Sequence, residues 1–307
     1  MIADRGDWCI SRQRLWGVPI PIIYNEDGSP IMELEVFNHI AELFGKYGSN
    51  YWFEHEAKDL LPEGYTNPKS PNGKYTKEKD IMDVWFDSGS SWNELQARGY
   101  DYPCDLYFEG SDQYRGWFNS SLIVSTAVNG TAPYKEVLSH GYVVDSKGEK
   151  MSKSVGNVVN PMDIINVNGA DVFRLWAMTS DFKEDLKLGP SNIKQVSDQY
   201  RKIRNTFRFL LGNINANDFD PKKDMVAYDD LTAVDQYILV KLNDVVKEVR
   251  KDCEEYDYVD TSKVLMNFMV NELSSYYCDF TKDILYCNAL NDTRRRQVQT
   301  VYWKCLD

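Results

Sequence analysis

The sequence predicts an α/β fold with a parallel sheet, followed by a region built only of helices. A short apolar run over 105–108 is typical of a buried strand, and the pattern becomes helical from Gln113 to a helix stop at Asn129 and Gly130. Apolar residues return over 135–144, with a break after His140, which indicates one more strand. Strand, helix and strand in this order indicate a βαβ unit, and therefore a parallel sheet.

The first 80 residues have an irregular pattern with short strands. Prolines alternate with apolar residues over 18–24, which favours an extended edge segment. Residues 25–29 have turn composition, and 31–36 are predicted as the returning strand. A short helix is predicted over 38–44, with Asn38 as its N-cap.

Amphipathic helices dominate the last third of the chain. Apolar residues recur at steps of three or four from Ile193, from Leu231 and, less regularly, from Leu265, and a fourth helix is predicted to start near Asp292. The break at 212–221 is the predicted domain boundary. The sequence stops at Asp307 inside a helical pattern without a cap, so we expect a truncated chain.

Composition and charge exclude several classes of protein. A hydrophobic fraction of 43% and an aromatic fraction of 13% suit a packed core and not a disordered chain. No apolar run reaches the roughly 18 residues that cross a bilayer, and the start has no secretory signal. The six cysteines form no C-x-x-C pair, which argues against a zinc site or a disulfide framework. A net charge of -12 disfavours a general nucleic-acid binder, so a soluble cytosolic enzyme is the leading class.

The turn that follows the strand at 105–108 carries candidate binding residues. Ligands of open α/β sheets bind at the carboxyl ends of strands, and Gly110 allows a close approach to the backbone. Glu109, Asp112 and Gln113 supply acceptors and an amide that suit an amine or ribose hydroxyls. The same spacing also fits a simpler role, in which Asp112 only caps the following helix.

Residues 145–154, here called the lysine loop, follow the next strand. Within them Lys150, Ser152, Lys153 and Ser154 lie in a segment with the composition of a mobile loop. Such a loop can bring ammonium groups to a polyphosphate, although most lysine-rich loops are solvated turns. No G-x-x-x-x-G-K-[ST] pattern exists in the sequence, which excludes a P-loop NTPase.

Three further groups of residues have both a binding and a structural interpretation. Trp85 and Trp117 can wall an apolar pocket or belong to the core. His140 can face a nucleotide base or serve a structural role. Residues 191–212 hold five basic residues and one acidic residue. The helix face with Arg201, Arg204 and Arg208 can bind a phosphate backbone, or it can simply face solvent.

Four segments together resemble one family. The complete signature loop of class I aminoacyl-tRNA synthetases is present as Lys150, Met151, Ser152, Lys153 and Ser154. Residues 7–21 are similar to the segment in which the isoleucyl, valyl and leucyl enzymes re-enter the catalytic domain after the inserted editing domain. Residues 83–89 and 109–118 are similar to the isoleucyl enzymes specifically. The resemblance spans residues 7–160.

The resemblance implies a fold and a set of domains. The fold would be the second half of a doubly wound parallel, Rossmann-like nucleotide-binding fold, followed by an all-α helical bundle. Residues 1–80 would re-enter the catalytic domain, and 81–165 would complete it with the signature loop. Residues 166–212 would be a connecting stem-contact region, and 213–307 a truncated α-helical anticodon-binding domain.

The resemblance also implies a two-step reaction. Isoleucine attacks the α-phosphate of ATP, which arrives as its Mg2+ complex, and the isoleucyl group of the adenylate then moves to tRNA(Ile). No covalent enzyme intermediate is needed, so positioning and stabilisation of phosphate charge carry the catalysis. The family implies a monomer in the cytoplasm, with no membrane contact and no metal site in this chain.

Roles for individual residues follow from the same motifs. Lys153 would meet the ATP phosphates with help from Lys150, and Arg201, Arg204 and Arg208 remain candidates for tRNA contact. The aminoacyl-adenylate would be held by Glu109 and Gly110, its ribose by Asp112 and Gln113, its adenine by His140 and the backbone near Val143, and its side chain by Trp117 and Trp85. We therefore expect the turn after Phe108 and the lysine loop to converge on one pocket.

The sequence departs from the family in three ways. The His-x-Gly-His signature of the first half of the nucleotide fold is absent, since the only histidines are His39, His55 and His140. The editing domain is absent apart from a remnant in residues 1–60, and so is the carboxy-terminal region. Two alternatives stay open: a non-catalytic module of the same fold that binds tRNA or adenylate, and a valyl or leucyl enzyme.

Overall fold

The computed structural model describes residues 5–215 and 218–307, and the chain divides into two units, Met1–Ser139 and His140–Asp307. Residues 1–4 of the predicted 1–80 segment and residues 216–217 of the predicted break at 212–221 lie outside the described residues. The helices and strands of the first unit are, in chain order, β1 (Ser11–Arg12), β2 (Ile23–Tyr24), α1 (Leu34–Tyr47), α2 (Tyr51–Glu54), β3 (Thr76–Lys77), β4 (Ile81–Met82), α3 (Val84–Gly89), α4 (Trp92–Ala97), β5 (Cys104–Gly110), α5 (Trp117–Asn129) and β6 (Tyr134–His140).

The second unit is mostly helical. One π-helix, Phe268–Cys278, lies within it. Its other helices and strands are β7 (Val143–Val144), α6 (Pro161–Asn168), α7 (Ala170–Met178), β8 (Leu186–Lys187), α8 (Pro190–Asn213), α9 (Ala233–Glu254), α10 (Tyr258–Asn267), α11 (Asp279–Cys287) and α12 (Thr293–Leu306). Among the described residues, every helix is too short or too polar to traverse a bilayer.

The predicted βαβ unit is present as β5, α5 and β6. The two strands pair, and their first residues lie together, because Cys104 N donates to Pro133 O over 3.0 Å. An ion pair of 2.6 Å joins Lys135 to Asp105 at the same end. The strands are therefore parallel, with α5 as their crossover. Helix α5 ends at Gly130, whose positive φ of 70° is the left-handed conformation that glycine adopts without strain.

The prediction of a strand over 31–36 is wrong, and so is the helix start at Asn38. Helix α1 begins at Leu34 after an extended Glu33, so Asn38 lies inside it. Val36 and Ile40, four residues apart, are both buried in the core of this region. Burial of one face of a helix selects that spacing, whereas the strand prediction assumed the two-residue alternation of a sheet.

The strand predicted over 135–144 is two strands that belong to different sheets. The predicted break after His140 is confirmed, because β6 ends there and pairs with β5. Strand β7 instead pairs in parallel with β8, with Val143 opposite Leu186. Beside β7 and β8, a small core packs α7 on α8 through Val172, Trp176, Leu188, Ile193 and Val196.

The four predicted amphipathic helices are confirmed as helical segments. The first two are α8 and α9, and the fourth is α12, which follows Asp292 as its N-cap. The third is a continuous run of α10, the π-helix and α11. A π-helix has wider turns than an α-helix, which explains why apolar spacing was least regular in that run.

A buried carboxylate, Asp235, ties α9 to the π-helix and to α12. Its side chain is fully buried and accepts a hydrogen bond of 2.6 Å from Tyr277 Oη, and two from the guanidinium of Arg294 at 2.5 and 3.1 Å. Thr232 completes the capping box of α9. Burial alone would raise the pKa of Asp235, but the hydrogen bonds from Arg294, Tyr277 and Thr232 outweigh it and leave that pKa below its ordinary value.

We expect Tyr277→Phe to destabilise the chain by about 1–3 kcal/mol, because one buried carboxylate oxygen loses a donor. The loss should be greatest above about pH 4 and shrink as the pH falls through the lowered pKa of Asp235, where the carboxylate takes up a proton. Urea unfolding at several pH values measures it. Tyr286→Phe, at a residue that is 65% exposed, is the control and should leave the midpoint unchanged. Equal midpoints for the two variants at neutral pH would contradict the assignment.

Candidate functional site

Asp83 brings together two of the segments that carried the resemblance. Its carboxylate accepts hydrogen bonds from Trp8 Nε1 at 2.9 Å and from Arg12 Nη2 at 2.8 Å, both within residues 7–21. The same side chain caps α3 by accepting from Trp85 N over 3.3 Å. Asp83 is itself buried, so the position of residues 83–89 is fixed by a paired charge.

Trp117 joins those residues to β5. Its ring stacks on Tyr107 of β5, with centroids 4.0 Å apart and an interplanar angle of 7°. Its Nε1 donates to Ser88 O at 2.9 Å and to Ser91 Oγ at 3.1 Å. Burial raises the pKa of Tyr107 to about 12, in keeping with a neutral ring beneath the indole. Trp117 is thus held rigidly at the start of α5, half-buried, with its polar edge satisfied.

Four of the predicted adenylate-binding residues lie at the end of β5 and in the segment before α5. Gly110 is the last residue of β5 and is buried, whereas Glu109 and Asp112 are exposed. Gln113 caps α5, because its Oε1 accepts from Trp117 N over 3.0 Å while its Nε2 donates to Asp112 over 3.1 Å. The simpler prediction, that Asp112 only caps the following helix, is therefore wrong, because Gln113 makes the capping hydrogen bond. The ligand-binding roles of Glu109, Gly110, Asp112 and Gln113 stay predictions.

Gly116 leaves room for Trp85. A Cβ on Gly116 would lie 2.8 Å from Trp85 Cη2 and 2.7 Å from Gln113 Oε1. Trp85 remains 40% exposed, so part of the indole is available as an apolar wall beside α5. Burial and the neighbouring Asp83 raise the pKa of Asp87, one turn further along α3. Three of the four segments of the resemblance thus meet in the first unit.

The lysine loop, in the second unit, is organised by Asp145. Its Oδ1 accepts from the backbone N of Lys147 and of Glu149, each at 2.9 Å, and its Oδ2 accepts from Asn157 Nδ2 at 3.0 Å. The hydrogen bond from Asn157, and then those from the backbone, hold the pKa of Asp145 below its ordinary value. Gly148 takes the left-handed conformation, with φ 89°, that this tight turn requires.

The two lysines of the signature segment are exposed. Lys150 Nζ lies 5.9 Å from the centre of the Tyr142 ring, and neither Lys150 nor Lys153 forms an ion pair with any described residue. Met151, between them, packs instead against the small core of α7 and α8. Ser152 Oγ lies 3.1 Å from Ser154 Oγ. The segment therefore offers two cations from an anchored backbone, which suits an anionic ligand.

His140 and Val143 flank the junction of β6 and β7. His140 Nδ1 lies 2.8 Å from Gly141 O, and Val143 is 44% exposed in β7. Gly141 packs so closely on Glu184 that a Cβ would lie 2.3 Å from its carbonyl oxygen. These contacts fix the backbone at the junction, and the predicted place of both residues beside an adenine stays a prediction. Glu109 and Lys153 belong to different units, and their convergence stays a prediction too.

The predicted basic face of α8 is exposed. Arg201, Arg204 and Arg208 lie along the helix at steps of three and four residues. Arg201 pairs with Asp198 over 3.2 Å at the surface, a contact that solvent weakens. The geometry leaves these guanidinium groups accessible to phosphates.

Three carboxylates crowd together at the far end of α9. Oxygen atoms of Glu248, Asp252 and Asp260 lie within 4.8 Å of one another. Asp252 is buried, and first burial and then Asp260 and Glu248 raise its pKa. Because like charges crowd here, Asp252 takes up a proton at a higher pH than an aspartate in solvent does.

Sequence reasoning missed the residues that hold these segments in place. Asp83, Tyr107, Asp145 and Asn157 each fix a candidate segment, yet Asp83, Tyr107 and Asn157 belong to no spacing that predicts this role. The Asp-x-x-Gly turn of Asp145 and Gly148 is the one signal that could have found one of them.

Comparison with known proteins decides the family. Residues 1–189 match the family of tRNA synthetases class I (I, L, M and V). The chain belongs to the class I tRNA synthetases. Residues 235–307 of this synthetase match the anticodon-binding domain of tRNA ligase, within the helical bundle of the second unit.

Relatives of this synthetase chain are isoleucine–tRNA ligases. That of Limosilactobacillus reuteri subsp. reuteri is 58% identical over 100% of this chain and 33% of the relative, and that of Bacillus licheniformis is 57% identical over the same shares. This chain thus spans about a third of the length of the curated relatives it matches.

Two solved structures confirm the predicted fold class. The first is the ternary complex of Agrobacterium radiobacter K84 LeuRS with tRNA and LeuAMS, which has a TM-score of 0.67 and 19% identity over 97% of this synthetase chain and 38% of that chain. The second is Mycobacterium tuberculosis methionyl-tRNA synthetase with methionyl-adenylate, at a TM-score of 0.56 and 17% identity, over 90% and 60%.

We expect Gly116→Ala to destabilise the chain by about 1–3 kcal/mol, because the new methyl group overlaps Trp85 and the Gln113 cap. Urea unfolding measures the loss, and 19F NMR of a fluorotryptophan-labelled chain should show a shifted Trp85 resonance, assigned with Trp85→Phe.

The control is Gly45→Ala, at an exposed position of α1 with no atom within 4 Å of the added carbon. It should stabilise the chain by about 0.5–1 kcal/mol, because alanine favours the helix. An unmoved Trp85 resonance in the Gly116 variant would contradict the close contact.

Proposed function

We propose that this chain is part of an isoleucine–tRNA ligase that activates isoleucine with ATP and transfers the product to tRNA(Ile). The observation that carries the proposal is the signature segment 150–154, which presents Lys150 and Lys153 from an anchored backbone. The identity of 58% to an isoleucine–tRNA ligase over the full chain supports the choice of amino acid.

The two lysines would act on the phosphates of ATP, which would arrive as its Mg2+ complex. Attack of the isoleucine carboxylate on the α-phosphorus forms the acyl–phosphate bond, and the bond to pyrophosphate breaks. Negative charge then grows on the departing pyrophosphate. Ammonium groups of Lys153 and Lys150 would stabilise that charge, so their effect is greatest in the transition state.

The last two residues of β5 and the turn after them would hold the adenylate. Glu109 is exposed and free to bind the amino group of isoleucine, and Gly110 permits close approach of the ligand to the backbone. Asp112 and Gln113 would hold the ribose hydroxyls. His140 and the backbone at Val143 would lie by the adenine.

Trp117 and Trp85 would form the wall of the isoleucine pocket. Trp117 suits this role because its stacking on Tyr107 and its hydrogen bonds to Ser88 and Ser91 leave it little freedom. A rigid apolar wall discriminates by shape and excludes water. Trp85 would contribute the part of its ring that the chain leaves exposed.

Arg201, Arg204 and Arg208 on α8 would contact the tRNA backbone, since their side chains are exposed and a polyanion gains from several cations at once. We keep the domain assignment of 1–80, 81–165, 166–212 and 213–307 as a proposal. A cytoplasmic monomer without a metal site of its own is expected with it. The relatives at 56–58% identity are isoleucine–tRNA ligases, which favours isoleucine over the valyl and leucyl alternatives.

We expect Lys153→Ala, in a full-length ligase that contains this chain, to slow isoleucine-dependent ATP–pyrophosphate exchange on the order of 100-fold or more, because a charge that stabilises the transition state is lost. Steady-state exchange measures it. Lys147→Ala is the matched control: it removes an exposed lysine of the same loop and should leave the rate nearly unchanged.

Two results would contradict the proposal. An exchange rate for Lys153→Ala equal to that of Lys147→Ala would remove the role of Lys153. Faster exchange with valine or leucine than with isoleucine, in the unmutated full-length protein, would remove the choice of amino acid.

A further inference from the structure

The side-chain amide of Asn157 is saturated with contacts to the backbone and to Asp145. Its Nδ2 donates to Asp145 Oδ2 at 3.0 Å and to Lys150 O at 3.2 Å, and its Oδ1 accepts from Ser152 N at 2.9 Å. Only an amide combines two donor hydrogens with an acceptor in this arrangement. The contacts therefore require asparagine in this orientation, with its nitrogen toward the carboxylate.

These contacts fall on both sides of Met151. The carbonyl of Lys150 precedes Met151 and the N–H of Ser152 follows it, so one side chain spans the backbone between the two lysines. Met151 itself is directed into the core of α7 and α8, and its Sδ accepts from Val159 N over 3.5 Å. The backbone from which both lysines project is thereby fixed at three adjacent residues.

Asp145 extends the same network to the start of the loop. Its other oxygen accepts from the backbone of Lys147 and Glu149, and Val144 bridges Lys150. The hydrogen bond between Asn157 and Asp145 thus connects the first residue of the loop to the segment that follows the loop. Ser152 Oγ accepts from Val155 N at 3.2 Å and closes the turn that carries Lys153.

We propose that Asn157 is a positioning residue: its amide holds the signature segment in one conformation and so sets where the two lysines meet the phosphates. The inference rests on the proposed function for its kinetic consequence. A flexible loop would have to be ordered in each catalytic cycle, and pre-ordering removes that entropy from the barrier. Asn157 would touch no reacting atom and would act through the lysines.

In a full-length ligase, we expect Asn157→Ala to lower kcat for pyrophosphate exchange on the order of 10- to 100-fold, with a smaller change in KM for ATP, because three hydrogen bonds that order the loop are lost. In a background that lacks both lysines, with Lys150→Ala and Lys153→Ala, the same change should have little further effect, since it acts through them. Full additivity of Asn157→Ala with the two lysine variants, or an unchanged kcat for Asn157→Ala, would overturn the proposal.

A pair of charge variants tests the contact with Asp145. Asn157→Asp places two carboxylates in contact, so it should impair exchange more than Asn157→Ala. Adding Asp145→Asn restores a donor and an acceptor across that contact and should recover much of the loss. Failure of the double variant to improve on Asn157→Asp would count against a positioning contact. Asn160→Ala, which removes the cap of α6 but leaves the loop intact, is the matched control and should keep the kcat of the unmutated protein.

Readouts on the 307-residue chain separate this inference from the proposed function. Asn157→Ala should speed tryptic cleavage after Lys150 and Lys153 about tenfold. It should also raise the pKa of Asp145, measured by NMR titration, because the hydrogen bond from Asn157 that lowers this pKa is lost. The pKa of Asp27, which is lowered by Ser29 instead, is the control and should not change. Absence of exchange in the unmutated ligase would refute the proposed function alone. Unchanged cleavage and an unchanged Asp145 titration would refute the positioning role even where the proposed function holds.

Discussion

Parallel strands can be joined only by a crossover, and this requirement shapes the candidate site of the first unit. Strands β5 and β6 start at the same end, so α5 must begin beside the carboxyl end of β5. The short segment from Gly110 through Gln113 to Trp117 therefore lies at the carboxyl end of β5. Polar groups at a strand end, a helix start and an aromatic wall therefore arise together from a single topological constraint.

The neighbouring segments are then held against this unit by buried polar contacts. Asp83 binds Trp8 and Arg12 while it caps α3, and the indole of Trp117 donates to the backbone of α3 at Ser88. Both contacts satisfy groups that would be unfavourable to bury unpaired. A hydrophobic core would hold these segments together, but paired polar groups also fix their register.

The sequence was sufficient for the regular elements and insufficient for the contacts between them. Strand β5 and helix α5 follow from an apolar run and a helical period, and the start of a helix near Asp292 was predicted as well. The helix predicted over 38–44 is present, but its first turn from Leu34 was mistaken for the end of a strand, because Ile31 to Val36 is too short a stretch to separate the two periods. Motifs identified Glu109 and Lys153 as candidates. The contacts of Trp117 with Tyr107 and Ser88 join different segments of the chain, and no sequence spacing predicts them.

The lysine loop illustrates the same division in physical terms. An ammonium group that meets a polyphosphate has to be exposed and unpaired, and Lys150 and Lys153 were found because they belong to a sequence motif. The groups that order such a loop must do the opposite and satisfy one another, as Asp145 and Asn157 do. Satisfied polar residues resemble any surface residue in a sequence, so the chemistry of a site is easier to predict than its rigidity. Rigidity nevertheless decides how strongly each cation stabilises the transition state. On a disordered loop, part of the interaction energy is offset by the entropy lost when the loop becomes ordered.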